Sequence, residues 1–253
     1  MPLLKYKDKN IFYQIKEAET EKWILLIHGS GGNSHTWNNQ LTQLDTNSNL
    51  VAIDLPSHDQ SDTFSELSLE LYVDVVKTLI NNLNVKEVIL AGHSLGGAVI
   101  LSYYFKYPSE VSALILIGTG ARLRVSPIIL NSLKTNFQEF LDGLPMGGFY
   151  RKTPKEIINQ YLAETSKIAP EVTYQDFKIC DEFDVMDKIR LINVPCLIIC
   201  GTEDRLTLPK YSKFFKENIE NSEMVLINNA GHFIMLEKAD ELNQAIKEFI
   251  KKL

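Results

Sequence analysis

The chain has 253 residues, 45% of them apolar, enough to bury about three quarters of its unfolded surface in a substantial core. Its 26 basic and 32 acidic residues leave a formal charge of −6, which argues against nucleic acid as a partner, since that needs a concentrated basic face. The segment Met1-Pro2-Leu3-Leu4-Lys5-Tyr6-Lys7-Asp8 has no apolar signal-peptide region, and no apolar run approaches the roughly 18 residues of a membrane span.

The three cysteines, Cys180, Cys196 and Cys200, are odd in number and have no zinc spacing. That pattern predicts a reducing compartment, hence a cytoplasmic protein. No metal and no cofactor are expected, since no metal-ligand cluster appears and Gly29-Ser30-Gly31-Gly32 lacks the spacing and later acidic partner of a dinucleotide loop.

In chain order, a hairpin is expected first, with turn residues from Tyr6 to Asn10 leading into Ile11–Ile15. Short apolar runs then alternate with helical patterns. The runs are Trp23–Ile27, Leu50–Ile53, Val88–Leu90, Leu114–Ile117, Cys196–Cys200 and Met224–Ile227. Such alternation predicts an α/β fold, a mostly parallel sheet with helices on both faces. Helices are expected over Leu69–Leu83, over Leu95–Tyr107 before Pro108, and over Leu236–Ile250, where Leu242, Ala245, Ile246, Phe249 and Ile250 form one stripe.

From Arg122 to Asp187 the alternation fails. This stretch carries Pro127, Pro145, Pro154 and Pro170, helical pieces and an expected loop Gly143–Gly148. It exceeds any ordinary connection. It is read as a helical cap insertion, 122–187, over the carboxyl edge of a core formed by 1–121 and 188–253. Leu130, Leu133, Phe137, Phe140, Leu144, Met146 and Phe149 are its candidate apolar residues, each more in keeping with the cap's own core than with substrate contact.

Gly92-His93-Ser94-Leu95-Gly96 follows a strand and precedes a helix. That is the required context of the G-x-S-x-G nucleophile elbow, which makes Ser94 the candidate nucleophile. Behind such an elbow the partners follow in the order acid, then histidine. Of the five histidines, His232 alone lies after Ser94, in the loop behind Met224–Ile227. His28 and His93 flank turns and read as structural, and His58 as a surface or loop residue. Asp204, after Cys196–Cys200, is the candidate acid, with Glu203 the neighbour to exclude. One strand earlier, Ile117-Gly118-Thr119-Gly120 offers no carboxylate.

An oxyanion needs two donors. One is expected from the backbone N–H of Leu95. The other is expected from His28-Gly29-Ser30-Gly31-Gly32, with Ser30 the first choice and Gly31 the alternative.

These segments, with Asp54-Leu55-Pro56-Ser57-His58-Asp59-Gln60-Ser61-Asp62, resemble the α/β-hydrolase superfamily and its small carboxylesterase and lipase-like branch. The resemblance covers nearly the whole chain and is weakest across the insertion. It implies an eight-stranded, mostly parallel sheet with a helical cap, and acyl-enzyme chemistry on a small-molecule ester. Ser57 and Asp59 stand where relatives usually carry glycine. Relatives with the same triad cleave carbon–carbon bonds, lactones or monoacylglycerols, and some have become non-catalytic binding proteins. The closing helix is expected to dock on its own sheet, in a monomer or a homodimer.

Overall fold

The computed structural model describes residues 2–253. β1 (Leu3–Tyr6) and β2 (Lys9–Lys16) form the opening hairpin, turned tightly at Lys7-Asp8 with Tyr6 opposite Lys9. Then follow β3 (Trp23–Ile27), β4 (Asn49–Ile53), β5 (Val88–His93), β6 (Val111–Ile117), β7 (Cys196–Gly201) and β8 (Ser222–Ile227). One eight-stranded sheet results, in the order β1-β2-β4-β3-β5-β6-β7-β8. β2 pairs antiparallel with β1 and β4, and the rest of the sheet is parallel.

The apolar runs of β3 to β7 are strands because both faces are covered, while β8 at the sheet edge leaves Leu226 exposed. Leu25 and Ile27 join one core cluster while Ile24 and Leu26 join the other, and the same division holds at Val51 and Ile53 against Leu50 and Ala52. This is the two-residue period of a strand with no solvent face. Each such side chain, fully buried, stabilises the fold by about 1.5–3 kcal/mol.

On one face lie α2 (Leu69–Asn82) and α3 (Leu95–Lys106). On the other, Leu41 of α1 (Asn38–Gln43) packs in the same cluster as Leu242, Ile246 and Phe249 near the C-terminus. α3 is apolar nearly all round and buried from Leu95 to Leu101, as a helix central to the fold must be.

Between β6 and β7 lie α4 (Pro127–Thr135), α5 (Phe137–Gly148), α6 (Lys155–Thr165) and α7 (Pro170–Glu182), all inside 122–187. At the neck of this insertion Arg122 pairs with Asp184 as an isolated antiparallel bridge and as a 2.8 Å ion pair. The expected loop at Gly143–Gly148 is instead the end of α5, with Pro145 inside the helix. Phe140, Leu141 and Leu144 are buried there and hold the last turn despite the proline's missing donor.

α8 (Pro209–Asn218) follows β7. The closing helix is broken: α9 (Ile234–Glu237) and α10 (Ala239–Ile250) are separated at Lys238. The break falls where Glu237 turns inward and accepts from Gly231 N (2.9 Å), Tyr150 N (2.7 Å) and Thr153 Oγ1 (2.5 Å). α10 docks on its own sheet, against β7 and β8. No helix among the described residues is long and apolar enough to cross a membrane.

The sheet and α3 meet at Gly92 and Gly96. A Cβ at Gly92 would fall on the Gly96 carbonyl, and one at Gly96 on the Ile27 carbonyl. Gly96→Ala should therefore cost about 1–3 kcal/mol and lower the melting temperature by about 2–4 °C per kcal/mol. Thermal unfolding measures this, and an unchanged melting temperature would mean that α3 shifts freely on the sheet.

Candidate active site

The parallel register brings five loops to one edge. Ile27 pairs with Gly92, His93 with Ile117, Ile117 with Ile199, and Gly201 with Ile227. The segments after β3, β5, β6, β7 and β8 thus emerge side by side and carry Ser30, Ser94, Thr119, Asp204 and His232.

Ser94 has φ 53° and ψ −115°, a left-handed conformation that costs a non-glycine residue about 1–3 kcal/mol. The turn is held by three bonds. Ser94 N donates to Ile117 O (3.1 Å), and the Ser94 carbonyl accepts from Gly97 N (2.9 Å) and Thr119 Oγ1 (2.8 Å). Thr119 thus occupies the β6 loop, where no carboxylate stands.

His232 is 3% exposed. Its Nδ1 lies 2.9 Å from Asp204 Oδ2, which leaves Nε2 as the ring nitrogen free of that bond. Asp204 Oδ1 accepts from Leu206 N (2.9 Å) and Thr207 N (2.8 Å), and Oδ2 also accepts from Thr207 Oγ1 (2.7 Å). Burial alone would raise this carboxyl. The His232 ring and the Thr207 donors outweigh burial and hold it below the ordinary carboxylate range. Glu203 is exposed, so the acid on His232 is Asp204.

The loop after β3 turns from Gly29 to Gly32. The Gly29 carbonyl accepts from Gly32 N (3.1 Å) and His28 Nδ1 (2.8 Å). A trans peptide is planar, so Ser30 N–H points opposite to that pinned carbonyl. Gly31 N–H is taken, donating to Asp176 Oδ2 at 2.9 Å. Between the two residues weighed for this donor, the free N–H belongs to Ser30. The Leu95 N–H opens α3, where no intrahelical acceptor exists for it.

Ser30, Ser94 and His232 line one cavity of about 240 Å³. Phe140 and Leu144 of the insertion line it as well, joined by Ile129, Tyr161 and Phe177. Among the other apolar candidates, Leu133 and Phe149 are core, and Met146 is 74% exposed. Leu130 and Phe137 are partly buried, and Phe137 stacks on Phe140 with ring centroids 5.8 Å apart. No cluster of histidine, cysteine and carboxylate side chains able to hold a metal occurs among the described residues.

His28 and His93 are structural, as expected. His28 accepts from Leu55 N at 3.1 Å, and burial with the neighbouring His58 charge pushes its pKa down to about 3. Burial and His232 likewise push His93 well below its ordinary value, and its Nε2 donates to the His232 carbonyl (3.0 Å).

His58 lies in the loop after β4, one of the two readings expected of it, but is fully buried rather than at the surface. Its Nδ1 donates to Pro56 O (3.0 Å), and its Nε2 lies 2.9 Å from Asp176 Oδ2. Burial opposes the ring's charge, but Asp176 more than offsets it and raises the pKa. Asp176, on α7, gave no signal in the sequence, because an acid in a helix reads as solvated surface. Ser57 and Asp59 both have positive φ, 69° and 41°, a conformation that glycine adopts without steric cost.

A sequence model described as the alpha/beta hydrolase family matches residues 24–245. Among solved structures, a thermophilic esterase is 36% identical with a TM-score of 0.88, the alignment covering 99% of this chain and 97% of that one. The enol-lactonase from Burkholderia xenovorans LB400 shares the fold, with a TM-score of 0.92 at 19% identity over 99% of this chain and 100% of that one. Lipase 3 of Moraxella sp. (strain TA144) is 25% identical over 266 residues, 96% of this chain and 81% of that protein. Because the family match runs from β3 into α10, over every loop that builds the site, the chain belongs to the alpha/beta hydrolase family.

Proposed function

We propose that this hydrolase is a carboxylesterase that cleaves esters of short to medium acyl chains through an acyl-enzyme on Ser94. The observation that carries the reading is the Asp204–His232 pair opening, with Ser94, onto one mostly apolar cavity. Similarity to a thermophilic esterase at 36% identity supports the bond type. A cavity of about 240 Å³ walled by Ile129, Phe140, Leu144 and Phe177 suits a short or medium acyl chain. The helical insertion 122–187 acts as the cap that walls it. Three free, buried cysteines fit a reducing compartment.

In this mechanism Ser94 Oγ attacks the ester carbonyl carbon, and His232 Nε2 takes the hydroxyl proton. Asp204 holds the ring by Nδ1 and stabilises the imidazolium. The carbonyl oxygen, now an oxyanion, accepts from Ser30 N–H and Leu95 N–H. The carbon–oxygen bond to the alcohol breaks, and the alcohol leaves with the proton from His232. Water then repeats the sequence on the acyl-enzyme: His232 takes its proton, the acid is released, and Ser94 recovers its hydrogen.

Hydrolysis of p-nitrophenyl esters from acetate to palmitate should peak at short to medium chains. Ser94→Ala should lower kcat/KM by at least about 10⁴-fold. Silence on every ester, with normal fluorophosphonate labelling of Ser94, would move the assignment to lactones or carbon–carbon bonds. Turnover that survives Ser94→Ala would end the serine reading.

Phe140→Ala enlarges the cavity from the cap side. The preferred acyl chain should lengthen, and an unchanged chain-length profile would remove Phe140 from the acyl wall.

Asp204→Asn should lower kcat by about 10³–10⁴-fold. It should also show in stability. A carboxyl with a depressed folded pKa stabilises the fold above its unfolded value of about 4 and ceases to do so as pH falls through the folded value. The variant should thus melt below the wild type at pH 7, and the gap should close below about pH 4. A gap independent of pH would mean that the folded carboxyl is not held ionised.

A further inference from the structure

One face of α7 is fitted to the loop after β3. Thr173, Asp176 and Cys180 stand at i, i+3 and i+7, the spacing of a single helix face. All three meet the Ser30–Gly31 segment. Gly31 has φ +62°, and a Cβ there would come within 2.9 Å of Thr173 Cγ2. Cys180 Sγ lies 3.5 Å from Ser30 Oγ. Between them Asp176 Oδ2 accepts Gly31 N–H at 2.9 Å.

The Asp176 carboxylate is itself fixed. It is fully buried, with Tyr72 OH donating to Oδ1 at 2.6 Å and His58 Nε2 on Oδ2 at 2.9 Å. The ring is locked in turn by Pro56 O at 3.0 Å. A buried carboxylate with all its partners in place is costly to disturb, because each freed donor would be left unpaired.

We propose that Asp176 is a positioning residue for the oxyanion hole. Anchored by Tyr72 and His58, it fixes the Ser30–Gly31 peptide from the helical insertion and so holds from its far side the residue whose N–H the Gly29 carbonyl aims. The preceding peptide is already pinned through the Gly29 carbonyl. With both flanking peptides held, Ser30 has no backbone rotation left to spend when charge develops on the substrate, which is what electrostatic preorganisation requires. Asp176 touches neither substrate nor Ser94, and acts through the backbone alone. The proposal rests on Ser94 and Ser30 having the roles given above.

The test compares Asp176→Asn and Tyr72→Phe with the wild-type chain. Four quantities are read: kcat and KM on p-nitrophenyl butyrate, the inhibition constant of a trifluoromethyl ketone whose hemiketal oxygen occupies the oxyanion site, and the melting temperature. Asp176→Asn should lower kcat at least about tenfold with KM within about twofold, less than deletion of a whole oxyanion donor costs. Ketone affinity should weaken in step. Tyr72→Phe frees the carboxylate to rotate and should act about threefold in the same direction. Should Asp176→Asn yield too little folded protein, Tyr72→Phe decides on the same readouts.

A lower melting temperature with kcat and ketone affinity unchanged would mean a structural role only and would overturn the proposal. Ser94→Ala separates the two levels. Turnover lost in Ser94→Ala but intact in both other variants sinks the positioning role alone. Turnover intact in Ser94→Ala sinks the serine reading, and this proposal with it.

Discussion

The passage of α3 over the end of β3 governs the whole carboxyl edge of the sheet. The first turn of α3 lies so close to the Ile27 carbonyl that only a hydrogen fits at Gly96. The chain reaches that position from β5 through one residue, so Ser94 must take up a left-handed conformation. The strain is confined there because Ile117, Gly97 and Thr119 all bond its backbone. The same closeness presses the loop after β3 against the elbow: a Cβ at Gly29 would stand 3.1 Å from Ser94 Cβ. Ser94 and the loop after β3 are neighbours because the backbones of the sheet and the helix leave no other room.

Around this contact the molecule buries four histidines, His28, His58, His93 and His232, and gives them different work. Two form carboxylate pairs of equal length, His232–Asp204 and His58–Asp176, both 2.9 Å. Their second nitrogens separate them. His58 commits Nδ1 to the Pro56 carbonyl, so its pair is closed and has no site at which to accept a proton. His232 has Nε2 free of the Asp204 bond and stands on a cavity. A base must reach the proton it removes, and of the two pairs only His232–Asp204 opens onto the cavity that Ser94 also lines. His28 and His93, pushed toward neutrality, serve as donor or acceptor to backbone and keep both loops in register without adding charge beside Asp204.

Much of this was legible in the sequence. Five of the six apolar runs, β3 to β7, are strands because a parallel sheet covered on both faces leaves no polar positions to interrupt them, and β8 closes the edge. Their ends ran further than the apolar residues, since Asn49, Gly92-His93 and Ser222 pair in the ladder through backbone alone. α1 and α8 went unread, being short and rich in Asn, Gln and Lys. The expected loop at Gly143–Gly148 failed because burial of Phe140 and Leu144 outweighs Pro145 and two glycines. Ser94, Asp204 and His232 were readable because each sits at a fixed place after a strand. Asp176 was not, because its meaning lies in a contact with Gly31, 145 positions away in the chain. The burial of His58 went unread for the same reason, since the partner that buries it is on α7.

The insertion is therefore more than a roof. α7 turns Thr173, Asp176 and Cys180 to the oxyanion loop, while Phe177, between them in sequence, faces the cavity. Phe140 of α5 packs edge-on against Phe177 with ring centroids 5.5 Å apart and lines the same space. On the proposed function, an acyl chain filling the cavity would press on the helix that carries Asp176, and a close-packed helix moves as a unit. Under the proposed roles, selection of the acyl group and placement of the oxyanion donor would both depend on α7. In such an arrangement a poorly fitting substrate loses rate as well as affinity, because remote binding energy is spent on geometry at the reacting carbon. A fold that kept its oxyanion loop wholly within the sheet domain would let the cap diverge with no effect on kcat. Here the Gly31–Asp176 bond ties the two together.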